Sequence, residues 1–401
     1  MTQAFIFDAV RTPRTPGKKT GELHEVKPIE LGATLLRELH SRHDFDTAYV
    51  DDVMMGCTGP IGEQGGDVAK TIALHAGWDE RVPGVQMDRY CASSLDAVNS
   101  AAQNILSGWN NLIVAGGVES MSRVPMASAG GAIMGDPEFA MAHKSVPQGI
   151  AADLVATLSG HTRDDLDAYA LTSQEWAARA QDNGYFDRSV VPVKDRNGMV
   201  IADRDSFIKR DTSAEKLAAL KPSFVQMGAL GMDDHVLQKF PHLQAITHVH
   251  TPGNSSGIVD GASAVLIGSE QAAKDLGLTP RGRVVAGTVI ASDPTLMFHG
   301  PGPASHKCLK IAGLKASDID LWELNEAFAS AVLKYMEDMN LEREQINVNG
   351  GAIALGHPLG ATGAVLVSTM LDELERRNLK RAMLTLCAAG GIGIATIIER
   401  V

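Results

Sequence analysis

Cys91 is the first residue of this chain whose surroundings could support chemistry. The stretch VQMDRYCASSLDAVNSAAQNILSGWNNLIVAGGVESM, residues 85–121, predicts a buried strand, a tight turn carrying Cys91, a helix and a second apolar strand. Because small residues follow Cys91, we expect it at a helix N-terminus, where the partial positive charge favours a thiolate. A cysteine among small residues is more often inert core packing, so its role depends on partners elsewhere in the chain.

A histidine far along the chain is the sharpest of these partners. His357 lies between Gly356 and Pro358 in the run GHPLGATG, at the start of a predicted helix rich in small residues. Such a turn holds a side chain rigidly and lets the backbone approach a ligand. An imidazole near Cys91 would take the thiol proton, since an unperturbed cysteine with a pKa of about 8.5 is only a few per cent ionised at neutral pH. The structural alternative is a hydrogen-bonded core histidine.

A second cysteine and an asparagine complete the set. Cys387 ends the apolar run AMLTLC and precedes AAGGIG, which indicates either a thiol reaching a cavity floored by backbone N–H groups or a buried strand cysteine. Asn325 in NEAFA begins a predicted helix. Its side chain either caps the N-terminus of that helix or orients a water that donates to a carbonyl oxygen. Cysteine, histidine and asparagine also serve cysteine proteases, but proteolysis does not need a second thiol. Two thiols and one histidine suit a reaction in which one thiol holds an acyl group and the other moves a proton at carbon.

Three further stretches are weaker candidates. Residues 251–269, TPGNSSGIVDGASAVLIGS, predict a turn rich in glycine and serine that either cradles a long polar ligand or is a plain loop. His248 and His250 would share one face of an extended chain, but no third ligand is in view, so we predict no metal site. Residues 225–246 have no clear period and are either a docking element or a surface excursion.

The composition is that of an ordinary globular protein, with 44% hydrophobic and 21% charged residues among 401. The formal net charge of -12 argues against a nucleic-acid partner. Four cysteines without paired spacing indicate a reducing compartment. The sequence shows no signal peptide and no apolar run of about 18 residues, so we predict a cytoplasmic protein without a membrane segment.

Two parts of the chain repeat one order of elements. Residues 1–121 alternate strands and helices, as in an α/β fold, and residues 276–401 again run strand, small-residue turn, helix, then an apolar strand meeting a glycine pair. The two glycine pairs are Gly116 with Gly117 and Gly390 with Gly391. We interpret the repeat as an internal duplication that brings the two turns to equivalent places about a pseudo-twofold axis. Residues 122–250 break the alternation and predict an inserted lid or substrate domain, after which residues 251–275 return to the first half.

The sequence resembles the thiolases, the family of acetyl-CoA acetyltransferases and 3-ketoacyl-CoA thiolases, over essentially its whole length. The motifs RYCASSLDAV, GGVESMS, NEAFA, NGGAIALGHPLGATG and LCAAGGIG follow the family's order and spacing. The resemblance implies an α/β, five-layered α-β-α-β-α fold of two duplicated halves with an inserted loop domain. It also implies an obligate dimer as the minimal unit.

The resemblance implies a role for each candidate residue. Cys91 resembles the nucleophile that becomes acylated, His357 the base that activates it, and Cys387 the group that exchanges a proton with the carbon of acetyl-CoA. Asn325, through a water, and His357 resemble the oxyanion hole for the enolate-like oxygen. The backbone N–H groups of Cys91 and Ala389 resemble a second oxyanion hole, for the thioester.

The expected ligand is coenzyme A as a co-substrate, with no permanently bound cofactor and no metal. Ser256 matches a serine that contacts the pantetheine arm of CoA. Two departures from the family pattern concern this region. Ala389 stands where glycine is common, which would strain the second oxyanion hole if that backbone needs a positive φ. Pro252 stands where a small residue is usual and could reshape the CoA groove.

The implied function is that of a 3-ketoacyl-CoA thiolase of fatty-acid β-oxidation, which transfers an acyl group to CoA and releases acetyl-CoA by ping-pong catalysis at Cys91. Pro147, Gln148 and Gly149 replace the His-Met-Gly of biosynthetic thiolases, which favours the degradative direction over an acetoacetyl-CoA synthase. Residues 225–246 and the run HVHTPGNSSG look like the thiolase β chains of bacterial fatty-acid-oxidation complexes. The expected partners are therefore a second copy, as a homodimer or dimer of dimers, and a hydratase/dehydrogenase α chain.

Two alternatives of other kinds stay open on the sequence. A decarboxylating condensing enzyme of the same superfold would carry a second histidine where this chain has Cys387. An inactive protein that binds CoA esters or lipids is supported only by the Ala389 departure, and the retained set of two thiols, histidine and asparagine opposes it.

Overall fold

The computed structural model describes residues 2–401. The strands are β1 (Ala4–Arg11), β2 (Thr15–Pro16), β3 (Asp52–Gly56), β4 (Val85–Met87), β5 (Leu112–Ser120), β6 (Val193–Lys194), β7 (Val200–Ala202), β8 (Val259–Gly268), β9 (Gly282–Ala291), β10 (Leu321–Leu324), β11 (Arg381–Ala388) and β12 (Ile392–Arg400). The helices are α1 (Pro28–His43), α2 (Val68–His75), α3 (Ser93–Ser107), α4 (Ala132–Gly135), α5 (Pro137–His143), α6 (Gln148–Ser159), α7 (Arg163–Asp182), α8 (Ala214–Ala218), α9 (Val225–Met227), α10 (Asp233–Leu237), α11 (Glu270–Leu276), α12 (Pro301–Ala312), α13 (Ala329–Met339), α14 (Ala352–Leu355) and α15 (Thr362–Arg377).

The order of strands in the main sheet shows the duplication directly. The order is β10-β11-β12-β9-β1-β8-β5-β3-β4, with β2 paired to β8. The two halves meet where β9 pairs with β1. On one side of this junction the order is β1, β8 and then the parallel strands β5, β3 and β4; on the other side it is β9, β12 and then the parallel strands β11 and β10. In each half the first strand therefore lies at the junction and the last strand lies beside it. The junction itself is antiparallel, with Ala4 opposite Val284 and Ile6 opposite Gly282. The predicted pseudo-twofold relation between the halves is therefore confirmed.

Helices pack against the sheet in the layers that the fold prediction requires. Helices α1 and α2 cover the outer face of the first half, and their apolar side chains form one core with β1, β3, β5 and β8. Helices α12 and α13 cover the second half in the same way. Helices α3 and α15 contact each other between the two halves, in a core that takes residues from both. The predicted α/β fold, with a mixed sheet flanked by helices in α-β-α-β-α order, is confirmed.

Two local predictions were wrong. The strand before Cys91, β4, is not buried: it pairs only with β3 at the edge of the sheet, and Val85 is exposed. The glycine pairs are not equivalent, because Gly116 and Gly117 lie inside β5. There they permit close approach of two backbones, since a Cβ on Gly117 would lie 2.3 Å from the Gly360 carbonyl oxygen.

The segment predicted as an insertion holds α4 to α10 and the small β6–β7 hairpin. A buried bidentate ion pair joins this segment to β1: Arg11 Nη1 and Nη2 donate to the two carboxylate oxygens of Asp205 at 2.8 and 2.7 Å. Burial of Asp205 raises its pKa, but Arg11 and Arg14 outweigh burial and lower that pKa to about 2. Residues 225–246 form short helical pieces that pack onto α6 in a common apolar cluster. Among residues 2–401, no helix is long and apolar enough to cross a membrane.

Candidate active site

The turn that carries Cys91 is strained and held by hydrogen bonds. Tyr90 has a φ of 50°, a left-handed conformation that is uncommon for a residue with a bulky side chain. Ser93 Oγ donates to the Tyr90 carbonyl at 2.5 Å and accepts from the Arg89 N–H at 2.8 Å. Helix α3 begins at Ser93, so Cys91 lies just before a helix N-terminus, as predicted.

The resting state of Cys91 differs from the expectation. The side chain is 7% exposed, and burial, with a further contribution from Cys387, raises the pKa of the Cys91 thiol well above its usual value. The prediction of a favoured thiolate was therefore wrong, because loss of solvation outweighs the helix terminus. The structure holds a neutral thiol that needs a base at the moment of attack.

His357 is held as a neutral base. Thr362 Oγ1 donates its one proton to the Pro358 carbonyl at 2.9 Å, so it accepts from His357 Nδ1–H at 2.6 Å. The Nε2 atom therefore keeps its lone pair. Burial, together with the positive charge of Arg14, lowers the pKa of His357 to about 3. At neutral pH the imidazole is therefore uncharged.

Asn325 contacts this lone pair directly. Its Nδ2 donates to His357 Nε2 at 3.2 Å, and its side chain is buried. The N-cap interpretation was wrong, because α13 begins only at Ala329 and Phe328 occupies its N-cap position. The Asn325 N–H donates to the Thr385 carbonyl at 3.1 Å, which fixes the loop beside the end of β11.

Cys387 lies in β11 two residues beyond Thr385. It is buried in an apolar cluster with Phe328 and Met297, and burial raises the pKa of its thiol to about 12. Cys387 also contributes to the raised pKa of the Cys91 thiol. A protonated Cys387 is in the correct state to give a proton to carbon.

Ala389 follows β11 without strain. Its φ lies outside the left-handed region, which is occupied instead by Gly390 (φ 73°) and Gly391 (φ 77°). The condition under which alanine would strain the second oxyanion hole is therefore not met.

Ser256 lies beside both the asparagine and the histidine segments. Its N–H donates to the Ala327 carbonyl at 3.0 Å, and the His357 N–H donates to the carbonyl of the next residue, Gly257, at 2.8 Å. Ser256 is half-buried, whereas Pro252 is exposed. The backbone next to Ser256 is therefore joined to that of His357.

Sequence reasoning missed the residue that joins the two catalytic turns. The buried carboxylate of Glu119 accepts from the backbone N–H groups of Thr58 and Gly360, each at 2.8 Å, and from Gln64 Nε2 at 3.0 Å. Thr58 Oγ1 in turn donates to the Tyr90 carbonyl at 3.2 Å. Glu119 thus links the turn before Cys91 to the turn after His357. Its place in the GGVESMS motif was the available signal.

The beginnings of the two central helices also touch. The Ala364 N–H donates to Ser94 Oγ at 3.1 Å. A Cβ on Gly56 would lie 2.5 Å from the Ser94 nitrogen and 2.7 Å from the Gly360 oxygen. Only a residue without a side chain lets the two turns approach this closely.

A second carboxylate positions the asparagine loop. Glu326 accepts from Tyr169 OH and Ser173 Oγ, both at 2.7 Å, and from the Ile353 N–H at 3.0 Å. Tyr169 and Ser173 belong to α7, so the inserted segment fixes the residue next to Asn325. This contact is remote in sequence, and the NEAFA motif alone gave no sign of it.

The two histidines of the THVH run bind carboxylates. His250 Nδ1 and His248 Nδ1 contact the two oxygens of Asp153, both at 2.7 Å, and His248 Nε2 contacts Asp233 at 3.0 Å. Within residues 2–401 no group of three or more histidine, cysteine, aspartate or glutamate side chains could hold a metal ion. These histidines therefore join α6 to α10.

Two family models together match most of the chain. The thiolase N-terminal domain matches residues 4–234 and the thiolase C-terminal domain matches residues 278–400. The chain therefore belongs to the thiolase family, which confirms the resemblance seen in its motifs.

Individual relatives agree with this assignment. The chain is 41% identical to a steroid 3-ketoacyl-CoA thiolase of Mycobacterium tuberculosis, over 100% of this chain and 95% of the relative. It is 40% identical to the 3-oxoadipyl-CoA/3-oxo-5,6-dehydrosuberyl-CoA thiolase of Escherichia coli, over the whole of both chains. The crystal structure of the Bacillus anthracis acetyl-CoA acetyltransferase superposes with a TM-score of 0.86 at 35% identity, covering 100% of this chain and 99% of that one.

Proposed function

We propose that the chain is a 3-ketoacyl-CoA thiolase that works in the degradative direction. The observation that carries the proposal is the buried contact of His357 Nε2 with Asn325 Nδ2, on a turn that Glu119 and Thr58 join to the turn before Cys91. The names of the steroid and 3-oxoadipyl relatives support the same reaction class.

The first half-reaction cleaves a carbon–carbon bond. Cys91 Sγ attacks the 3-keto carbon while its proton passes to His357 Nε2. The bond between C2 and C3 then breaks, and its electron pair is left on the acetyl-CoA fragment as an enolate. The Cys387 thiol protonates the carbon of this enolate, and the proton on His357 later restores Cys387.

The second half-reaction transfers the acyl group. The thiol of a second CoA attacks the thioester on Cys91, its proton is taken up by His357, and Cys91 leaves and is reprotonated. No proton is gained or lost over the two halves. Because His357 has a low pKa and the thiols have high ones, proton transfer must accompany attack instead of preceding it.

Negative charge develops at two different oxygens in these steps. We assign the enolate oxygen to Asn325, through a water, with His357, and the thioester oxygen to the backbone N–H groups of Cys91 and Ala389. Each donor is held before the reaction by buried packing, which is the condition under which such donors lower a barrier. Ser256 is assigned to the pantetheine arm of CoA.

The start of α6 supports the proposed direction. Pro147 and Gln148 open α6 where biosynthetic members have histidine and methionine, and Gln148 is half-buried. The alternative, condensation of two acetyl-CoA molecules, would be favoured only if acetoacetyl-CoA were made faster than longer 3-ketoacyl-CoA esters are cleaved.

We propose a homodimer or a dimer of dimers in the cytoplasm, with an α chain carrying hydratase and dehydrogenase activities as a further partner. The exposed edge strand β4 leaves unpaired backbone groups that a second copy would cover. Gel filtration that gives a monomer would contradict the dimer. Co-expression that gives only the free dimer would contradict the α chain.

The function is tested by thiolysis of acetoacetyl-CoA with CoA, followed by loss of the enolate absorbance. The wild type should turn over and Cys91→Ala should not. Cys308→Ala should retain activity because Cys308 belongs to α12 and its thiol donates to the Ala286 carbonyl. Turnover by Cys91→Ala would contradict the mechanism. No turnover of any 3-ketoacyl-CoA ester by the wild type would contradict the function.

A further inference from the structure

A large cavity lies between the inserted segment and the end of β11. Its volume is about 690 Å³, within the range of pockets that enclose a whole ligand molecule. Helices α4 and α5 form one wall, the Gly228–Met232 turn and α10 form another, and Ala389 closes the inner end.

The inner part of the cavity lies next to the residues around Cys387. Ala389, whose N–H is assigned to the thioester oxygen, lines it directly. Val146 and Met297 also line it, and both belong to the apolar cluster that contains the Cys387 side chain. An acyl group attached to the site therefore has this cavity next to it.

The walls are apolar and adaptable. Met141, Met232 and Met297 line the cavity, and methionine side chains change shape readily to fit different ligands. Met141 and Leu230 are 68% and 78% exposed, so the cavity also presents apolar surface at its solvent side. Such surface is unusual on a soluble protein unless it binds something.

The charges of the walls have one sign. Asp136 and Asp234 line the cavity, and no lysine or arginine is among its described lining residues. The imidazole of His235 is engaged, since its Nε2 donates to the Ala140 carbonyl at 3.1 Å. Lys144 is engaged as well, through Gln238 Oε1 at 2.5 Å. A negatively charged group in this cavity would face two carboxylates and no lysine or arginine among the described lining residues.

We propose that this cavity receives the acyl group of the substrate, and that it selects long or bulky acyl groups with an uncharged far end over acyl groups that end in a carboxylate. The inference rests on the proposed function and narrows its substrate class. It sets this chain apart from its relative named for 3-oxoadipyl-CoA, a substrate whose acyl group ends in a carboxylate.

A matched pair of substrates tests the selection. 3-Oxohexanoyl-CoA and 3-oxoadipyl-CoA have the same length and differ by the terminal carboxylate. The value of kcat/KM should be at least about 100-fold higher for the uncharged member, because an unpaired carboxylate loses its hydration in an apolar site. Along an uncharged series it should rise by up to about fourfold for each added methylene until the cavity is filled. Equal rates for the pair, or no rise with chain length, would overturn the proposal.

Two variants locate the effect in the cavity. Ala140→Trp, on α5, should lower kcat/KM at least tenfold more for a ten-carbon substrate than for acetoacetyl-CoA. Ala142→Trp, on the same helix but outside the described lining, should not change this ratio. Asp234→Lys should raise kcat/KM for 3-oxoadipyl-CoA about tenfold by supplying a partner charge, whereas Asp275→Lys on α11 should not. Loss of both the short and the long substrate in Ala140→Trp, with unchanged folding by circular dichroism, would overturn the assignment of this cavity.

Different results would contradict the proposed function and the selection by the cavity. If no 3-ketoacyl-CoA ester is cleaved, the proposed function is wrong. If short esters are cleaved but carboxylate-ended and uncharged acyl groups react alike, the function stands and only the cavity inference is wrong.

Discussion

The turns before α3 and α15 occupy equivalent places in the two halves, yet they hold opposite chemistry. Each helix begins without a side-chain cap, after an alanine at the N-cap position. The first turn carries Cys91, whose burial keeps it protonated, and the second carries His357, whose burial keeps it uncharged. The duplication therefore places the two turns at equivalent positions. The burial of each side chain then leaves Cys91 as a proton donor and His357 as a proton acceptor.

The comparison extends to how each turn is held. The cysteine turn is fixed by its own neighbours, through the left-handed Tyr90 and the Ser93 hydroxyl. The histidine turn is fixed by Thr362 and by Glu119 of the other half. The position of His357 therefore depends on a residue of the N-terminal half. The position of Cys91 depends much less on the C-terminal half.

Removing the base should have the largest effect. In His357→Ala both half-reactions lose their proton acceptor, so kcat for thiolysis should fall about 10³- to 10⁴-fold, as should acyl exchange between acetyl-CoA and labelled CoA. His242→Ala, at an exposed position, serves as the control. Retention of either activity within tenfold would show that His357 is not the shared base.

Removing the second thiol should separate the two reactions. Cys387→Ala should lower carbon–carbon cleavage about 10²- to 10³-fold and should leave acetyl-CoA/CoA exchange within tenfold, because exchange moves no proton at carbon. The two rates are measured on one preparation, with Cys308→Ala as the control. Equal losses in both rates would contradict the division of labour between the thiols.

Changing the partner of His357 should have a smaller effect on the base. Thr362→Val removes the acceptor of Nδ1–H, so kcat should fall about tenfold to 100-fold, the equivalent of about 1–3 kcal/mol for a buried hydrogen bond. Thr362→Ser keeps the hydroxyl and should recover most of the activity. If valine and serine behave alike, the hydroxyl does not position the imidazole.

The smallest expected effect is the contribution of His248, in its contacts within the inserted segment, to the free energy of unfolding as the pH changes. Burial alone would lower the pKa of His248, but its bonds to Asp153 and Asp233 outweigh burial and raise it above its usual value. Because the pKa of His248 is higher in the folded than in the unfolded chain, protonation of His248 stabilises the fold. This stabilisation is complete below the pKa of the unfolded chain, about 6.5, and is lost as the pH rises through the pKa of the folded chain.

Urea unfolding of wild type and His248→Gln measures this contribution. The wild type should exceed the variant by about 1 kcal/mol or less at pH 6, and the difference should shrink at higher pH. His242→Gln should show no such dependence. A difference that grows with pH would contradict the ion pairs of His248.

Much of this molecule could be predicted from the sequence because its signals are local. The run around Cys91 and the run GHPLGATG each carry their own turn, helix and small residues, so both helix starts were predicted near their observed places. The family motifs supplied the fold.

The failures share one physical cause, which is packing between distant segments. The pKa of Cys91 follows from burial between the halves, which no local pattern reports. The role of Glu119 depends on Gly360, 241 residues away. Asn325 looked like an N-cap because the start of α13 is set by tertiary contacts and not by its sequence.

The central claim is that Cys91 alone among the cysteines carries the acyl group while His357 holds its proton. The direct measurement is mass spectrometry of protein mixed with acetoacetyl-CoA in the absence of free CoA and quenched with acid. The account predicts an acetyl group on Cys91, absent in Cys91→Ala and discharged when CoA is added. An acetyl group on Cys57, Cys308 or Cys387 that discharges to CoA, or turnover without any acyl-protein, would contradict it.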